Sequence, residues 1–246
     1  MPVHDDLGKR MKEFYETIPK TRLMRRCPIC IRIDGKAFHT FTRGFSKPFD
    51  SVLIKAMQDT MKYLCENIQG CVFGYQQSDE ITLILIDYQT LTTSAWFDNE
   101  VQKICSIAAS MTTMYFNRRF SELVAGEGVY LKAVERGAMF DCRCFNIPKE
   151  EVTNLIYWRQ LDATRNSIQM VGQANFSHKE LQGKSCNDIQ DMLHEQKGIN
   201  WNDFDVYLKR GTACIKTDTG WTLDMEMPIL KGDDRNYVDQ YIFVGE

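Results

Sequence analysis

Apolar residues recur at helical spacing in several stretches of the chain. Leu7, Met11, Phe14 and Tyr15 predict an amphipathic helix over residues 7–17. Leu53, Ile54, Met57, Met61 and Leu64 predict another over 52–68, and residues 96–120 a longer one, whose Ala108, Ala109 and Ser110 permit close packing on a sheet. Other apolar runs are too short for helices. Residues 29–33, CVFGYQQ, ITLILI and residues 138–147 predict strands, and the two middle ones form a hairpin around the polar triplet Ser78, Asp79 and Glu80. Strand, helix, hairpin, helix, strand is the split βαββαβ order. It predicts an α+β, ferredoxin-like unit whose antiparallel sheet is covered by helices on one face, with the first and third strands adjacent. Beyond Pro148 the pattern predicts a helix over 150–171, a charged helix over 179–195, and a hairpin over 208–229 turning at Asp218 to Gly220. The chain therefore reads as a βαββαβ unit with its N-terminal helix (1–148) and a helical and hairpin extension packed on it (149–246).

Composition narrows the function classes. At 246 residues with 43% hydrophobic content, the chain buries a full core. A net charge of -3 and a pI near 5.9 exclude a uniformly basic coat, so any nucleic-acid contact must use local clusters. Three are present: Lys20, Arg22, Arg25 and Arg26; Arg118 and Arg119; Lys209 and Arg210. No apolar run reaches membrane-spanning length, and the early Asp5, Asp6 and Lys9 do not fit a secretory leader, so a cytoplasmic protein with no membrane partner is expected. Nine cysteines scattered through apolar segments fit reduced thiols. The CPIC of Cys27 and Cys30 imitates half a zinc site, but Cys142 and Cys144 are too closely spaced to supply the other half.

The topology acts on the carboxylates. Asp34 ends the first strand and Asp79 lies in the hairpin turn, so adjacent first and third strands bring both to one end of the sheet. Two acids held close repel unless a cation lies between them, and hard oxygen donors suit Mg²⁺. Gly35, without a Cβ, lets backbone approach a phosphate or offers its carbonyl to a metal, and the amides from Lys36 to His39 are placed to cradle a triphosphate. Lys47 adds a cation for charge developing on phosphate. Asp34 with Gly35 also fits an ordinary turn, Ser78, Asp79 and Glu80 a polar hairpin tip, and Lys47 a solvated side chain.

Taken in order, IRIDGKAFHTF, FSKPFD, YQQSDEITLIL, FDCRCFNIP and YWRQLDATRNS resemble the tRNA-histidine guanylyltransferase superfamily, the 3′-to-5′ nucleotide-adding polymerases, over roughly residues 25–215. The resemblance implies a palm-like catalytic domain, two Mg²⁺ ions, ATP and GTP or other NTPs as substrates, and RNA extended at its 5′ end. It matches Asp34 and Asp79 to the metal-binding acids, with the Gly35 carbonyl as a further ligand, and Glu80 to the second member of the acidic pair. Gly35, Lys36, Ala37, Phe38 and His39 match the nucleotide loop, Ser78 a triphosphate contact, and Lys47 a lysine of 5′ activation. Where members dedicated to tRNA-histidine carry HINNLYN after the WRQ segment, this chain has RNSIQMV from Arg165 to Val171. It is therefore closer to the Thg1-like branch, which implies templated repair of 5′-truncated tRNA and a homotetramer. The alternatives are a dedicated tRNA-histidine guanylyltransferase, a palm-type nucleotide cyclase, and a non-catalytic RNA-binding module. Arg159 and Asp162, three apart on a helix, read as a surface ion pair or an RNA contact.

Overall fold

The computed structural model describes residues 5–126 and 128–244. In chain order it contains α1 (Asp6–Met11), β1 (Ile29–Gly35), α2 (Phe38–Phe41), α3 (Ser51–Asn67), β2 (Cys71–Gln77), β3 (Glu80–Leu85), α4 (Val101–Val124), α5 (Leu131–Arg136) and β4 (Phe140–Asn146). There follow α6 (Lys149–Asn175), α7 (His178–Leu181), α8 (Cys186–Lys197), α9 (Val206–Arg210), β5 (Thr212–Thr217), β6 (Gly220–Asp224) and α10 (Asn236–Ile242). The six strands form one antiparallel sheet in the order β4-β1-β3-β2-β5-β6.

Strand alternation builds two cores. Ile29, Ile31 and Ile33 of β1 meet Met57, Met61 and Leu64 of α3 and Ile104, Phe116 and Phe120 of α4 on one face. On the other face Cys30, Phe73, Tyr75 and Ile84 pack against Val152 and Ile156 of α6 and Val238 and Ile242 of α10. Helices thus cover both faces, where the strand-helix order alone predicted one. The reason lies in β3, in which every residue is buried: Ile81, Leu83 and Leu85 join one core and Ile84 the other, so both sides need a cover, and the C-terminal part supplies the second. The same part lengthens the sheet, because β5 pairs along β2 with Gly74 opposite Cys214.

Three local expectations change. The N-terminal helix gives way after Met11 to a π-helical turn over Lys12–Glu16, and Leu7, Phe14 and Tyr15 are exposed. The helix expected over 179–195 is broken, with Gly183 in the left-handed region and Ser185 capping α8 by accepting from the Asp188 amide. Of the small residues in α4, only Ala108 is buried.

Candidate active site

The register of β1 sets the site. Asp34 lies opposite Glu80 on β3 and Asp141 on β4, and the two-residue connection of Ser78 and Asp79 closes the hairpin beside it. Ser78 takes a positive φ of 50° there. Asp34 and Asp79 open on one cleft of about 480 Å³, lined also by Gly35, Ala37, Phe38, His39, Lys47 and Ser78. Of the residues singled out from sequence, Lys36 and Glu80 do not line it.

The two acids strain each other electrostatically. Burial, then the charge of Asp34, push the Asp79 carboxyl up to about 6, against the opposing hydrogen bond that Ser78 Oγ donates to Asp79 Oδ1 at 3.0 Å. Burial, then Glu80 and Asp141, raise Asp34. A cation relieves such repulsion. Among the described residues no three His, Cys, Asp or Glu side chains form a metal cluster, so an ion here rests on two carboxylates completed by backbone, water or phosphate oxygen. That sparse, hard donor set is the one Mg²⁺ tolerates.

The loop after β1 is organised by packing. The Lys36 amide donates to the Met139 carbonyl at 2.8 Å, so it is not part of a phosphate cradle; the amides of Ala37, Phe38 and His39, which follow it, have no backbone acceptor among the described residues. Gly35 is required for a reason the sequence did not show: a Cβ there would lie 2.2 Å from the Phe38 ring. Phe38 turns under the loop, 6% exposed, and its ring meets those of Phe41, Phe116 and Phe140 as the floor of the cleft. Lys47 also lines the cleft, exposed, in a segment tied down by Asp50. The buried Asp50 carboxylate accepts from the Leu53 amide at 2.9 Å, the Ser46 amide at 3.0 Å and the Tyr130 hydroxyl at 2.9 Å. Sequence reasoning missed Asp50, although an acid directly before a helical pattern is an N-cap signal.

Glu80 faces a different environment. It is 6% exposed, and Arg159 of α6 grips it through Nε to Oε1 at 2.7 Å and Nη2 to Oε2 at 2.8 Å while Arg32 Nη2 reaches Oε2 at 2.7 Å. Arg159 also donates to Asp162 at 2.8 Å. The pair expected on the surface is thus the buried centre of a network, because α6 lies on the sheet with Arg159 turned inward. Trp158, 51% exposed, covers it, with the Arg159 and Arg32 guanidinium carbons 4.5 and 5.3 Å from its ring centroid.

The basic clusters are less available than their sequence suggests. Lys209 is 8% exposed and donates to the Asn202 carbonyl, Arg25 pairs with Asp87 at 2.5 Å, and Arg119 pairs with Asp59 at 2.8 Å. All nine cysteines are free. Cys105 Sγ lies 3.6 Å from Cys144 Sγ, and burial, then Cys105, push the Cys144 thiol up to about 12, which leaves it unreactive.

Comparison with known proteins gives one answer. Residues 8–148 match the family model described as Thg1, tRNAHis guanylyltransferase. The tRNA(His) guanylyltransferase of Saccharomyces cerevisiae is 26% identical over 208 residues, covering 79% of this chain and 84% of its own. A bacterial tRNA(HIS) guanylyltransferase (Thg1)-like protein solved in complex with ATP superposes with a TM-score of 0.88 at 44% identity, covering 97% of this chain and 100% of that one. A structure of such a bacterial protein in complex with GTP gives 0.81 at 42% identity, with the same coverage.

Proposed function

Because the chain belongs to the tRNAHis guanylyltransferase family, whose members are nucleotidyltransferases, we propose that it adds nucleotides in the 3′-to-5′ direction to the 5′ end of truncated tRNA, using the opposite strand as template. The observation that carries this reading is the convergence of Asp34, Asp79, Ser78, Lys47 and the loop after β1 on one cleft. The ATP and GTP complexes of the bacterial relatives support nucleotide binding there. The order β4-β1-β3-β2 supports reading the first four strands as a ferredoxin-like palm.

Asp34 and Asp79, with the Gly35 carbonyl, would hold two Mg²⁺ ions. Bound there, such ions lower the pKa of an attacking hydroxyl and offset charge on the leaving phosphate. The chain's own groups do the positioning. The free amides of Ala37, Phe38 and His39 and the Ser78 hydroxyl hold the triphosphate, and Lys47 neutralises charge as the 5′ end is activated. Glu80, with both oxygens already engaged, serves by fixing the strand next to Asp79. In the first step a 5′-monophosphate oxygen attacks the α-phosphorus of ATP and pyrophosphate leaves. In the second, the 3′-hydroxyl of the incoming NTP attacks the 5′-phosphorus of the RNA and AMP leaves. A 5′-triphosphate end bypasses the first step and releases pyrophosphate.

Templating follows from RNSIQMV at 165–171, since no guanine-reading motif takes the place of HINNLYN. Purified protein is given Mg²⁺, all four NTPs and truncated tRNAs that differ only in the base opposite the vacancy. Each is expected to receive the complementary nucleotide. Guanosine added regardless of that base restores the dedicated guanylyltransferase, and turnover of NTP without RNA points to a cyclase.

A further inference from the structure

The segment that carries Lys47 has few restraints. Among the described residues no hydrogen bond reaches Lys47, Pro48 or Phe49. Phe49 is steadied at one end by the Phe204 ring, with 5.6 Å between centroids, and Ser46 at the other by one bond, from its amide to Asp50 Oδ2 at 3.0 Å. The position of Lys47 therefore depends on where that carboxylate oxygen stands.

Two further contacts set the carboxylate. The Leu53 amide holds Oδ1 at 2.9 Å as part of the α3 cap, and the Tyr130 hydroxyl, from a distant part of the chain, donates to Oδ2 at 2.9 Å. Asp50 and Tyr130 are each 5% exposed, so water does not compete for this bond. Tyr130 is itself well fixed. Its carbonyl accepts from the Ala133 and Val134 amides at 2.9 and 3.0 Å, its ring meets Phe45 edge-on at 4.8 Å and Phe120 at 5.8 Å, and Arg136 in the same short helix donates to the Thr40 carbonyl of α2 at 2.9 Å. Phe45 lines the cleft, so α5 braces it from beneath at both the nucleotide loop and the Lys47 segment.

We propose that Tyr130 is a positioning residue for 5′ activation: through Asp50 Oδ2 and the Ser46 amide it holds Lys47 in place against the reacting phosphates. This inference rests on the role given to Lys47 above. In that step a 5′-phosphate oxygen forms a bond to the α-phosphorus of ATP, the α–β bridge breaks, and pyrophosphate carries away the electron pair. A displaced Lys47 leaves the charge on those oxygens uncompensated. Extension of a 5′-triphosphate end does not pass through this step, so a fault in the latch separates the two reactions.

The test uses the full chain as wild type, Lys47→Ala, Tyr130→Phe and the double variant, the phenylalanine keeping the ring contacts and removing the hydroxyl alone. Single-turnover rate constants are measured for activation of 5′-monophosphate RNA at saturating ATP and for extension of 5′-triphosphate RNA at saturating NTP. Tyr130→Phe should slow activation by about threefold to tenfold, the worth of one buried hydrogen bond, and extension by a smaller factor. In the Lys47→Ala background the same change should slow activation no further, because the group it positions is gone. A tyrosine with a merely structural role would slow both reactions by one factor, and would do so with or without Lys47; either result overturns the inference. Should Tyr130→Phe lower the melting temperature, assays below its transition still decide, since an unfolded fraction weighs equally on both RNAs. Equal losses on the two RNAs in Lys47→Ala alone refute instead the activation reading, and the inference with it.

Discussion

Replacing Arg159 by Met removes a guanidinium while keeping an unbranched side chain to fill the space beside β3. In the native protein Arg159 makes two parallel contacts to Glu80, at 2.7 and 2.8 Å, with both side chains below a tenth exposed. Breaking a buried ion pair from one side costs about 3–5 kcal/mol, because the remaining charge keeps its desolvation without its partner. Here the lower end applies. Arg32 still holds Oε2, and Asp162 keeps Arg165 and Asn166 as partners, so Oε1 alone is left without a short contact. We expect Arg159→Met to lower unfolding free energy by about 3 kcal/mol in urea near neutral pH, and a double-mutant cycle with Glu80→Gln to give a coupling of about 2 kcal/mol. Turnover should fall more than substrate affinity, since Glu80 adjoins Asp79, and Arg159→Lys should restore only part of either loss because it cannot grip bidentately. A variant within about 1 kcal/mol of wild type, or a coupling near zero, would show that the network is peripheral and refute its role in holding the acidic turn.

The metal assignment makes two further claims. Asp34→Ala and Asp79→Ala should each cost several kcal/mol of transition-state stabilisation while leaving the melting temperature of the metal-free protein unchanged or raised, because each removes one of two repelling carboxylates; near-normal turnover in either would sink the assignment. The folded-state pKa of Asp79, about 6, lies above its ordinary 3.8, so its ionised form costs stability at neutral pH, and that cost fades as pH falls from about 6 towards 3.8. In chelator, wild type should therefore gain on Asp79→Asn by at most about 1.5 kcal/mol between pH of about 7.5 and 5, and less where solvent screens this partly exposed group; a widening deficit on acidification would contradict the sign. Lys47→Ala should slow reaction of 5′-monophosphate RNA more than that of 5′-triphosphate RNA in single-turnover assays, and equal losses on both would deny it a place in activation.

Periodicity reports contacts between residues a few positions apart, and at that range the chain was legible. The apolar run of β1, the helical repeat of α3 and the polar interruption between β2 and β3 were each readable, and with them the positions of Asp34 at a strand end and Asp79 in a turn. Their proximity needed only the adjacency of the first and third strands. What remained hidden depends on partners far apart in the chain. Glu80 and Arg159 are 79 residues apart, and Asp50 and Tyr130 are 80. A charged side chain carries no periodic signal of the face it will occupy, so Arg159 looked like a surface residue until α6 settled on the sheet and turned it inward. The requirement for Gly35 likewise belongs to the Phe38 ring beneath it, and the Lys36 amide was claimed by Met139 across the β1–β4 edge. The raised carboxyl of Asp79 is tertiary in the same sense. Desolvation exists only once other segments have closed around a group, and no local stretch of sequence contains that information.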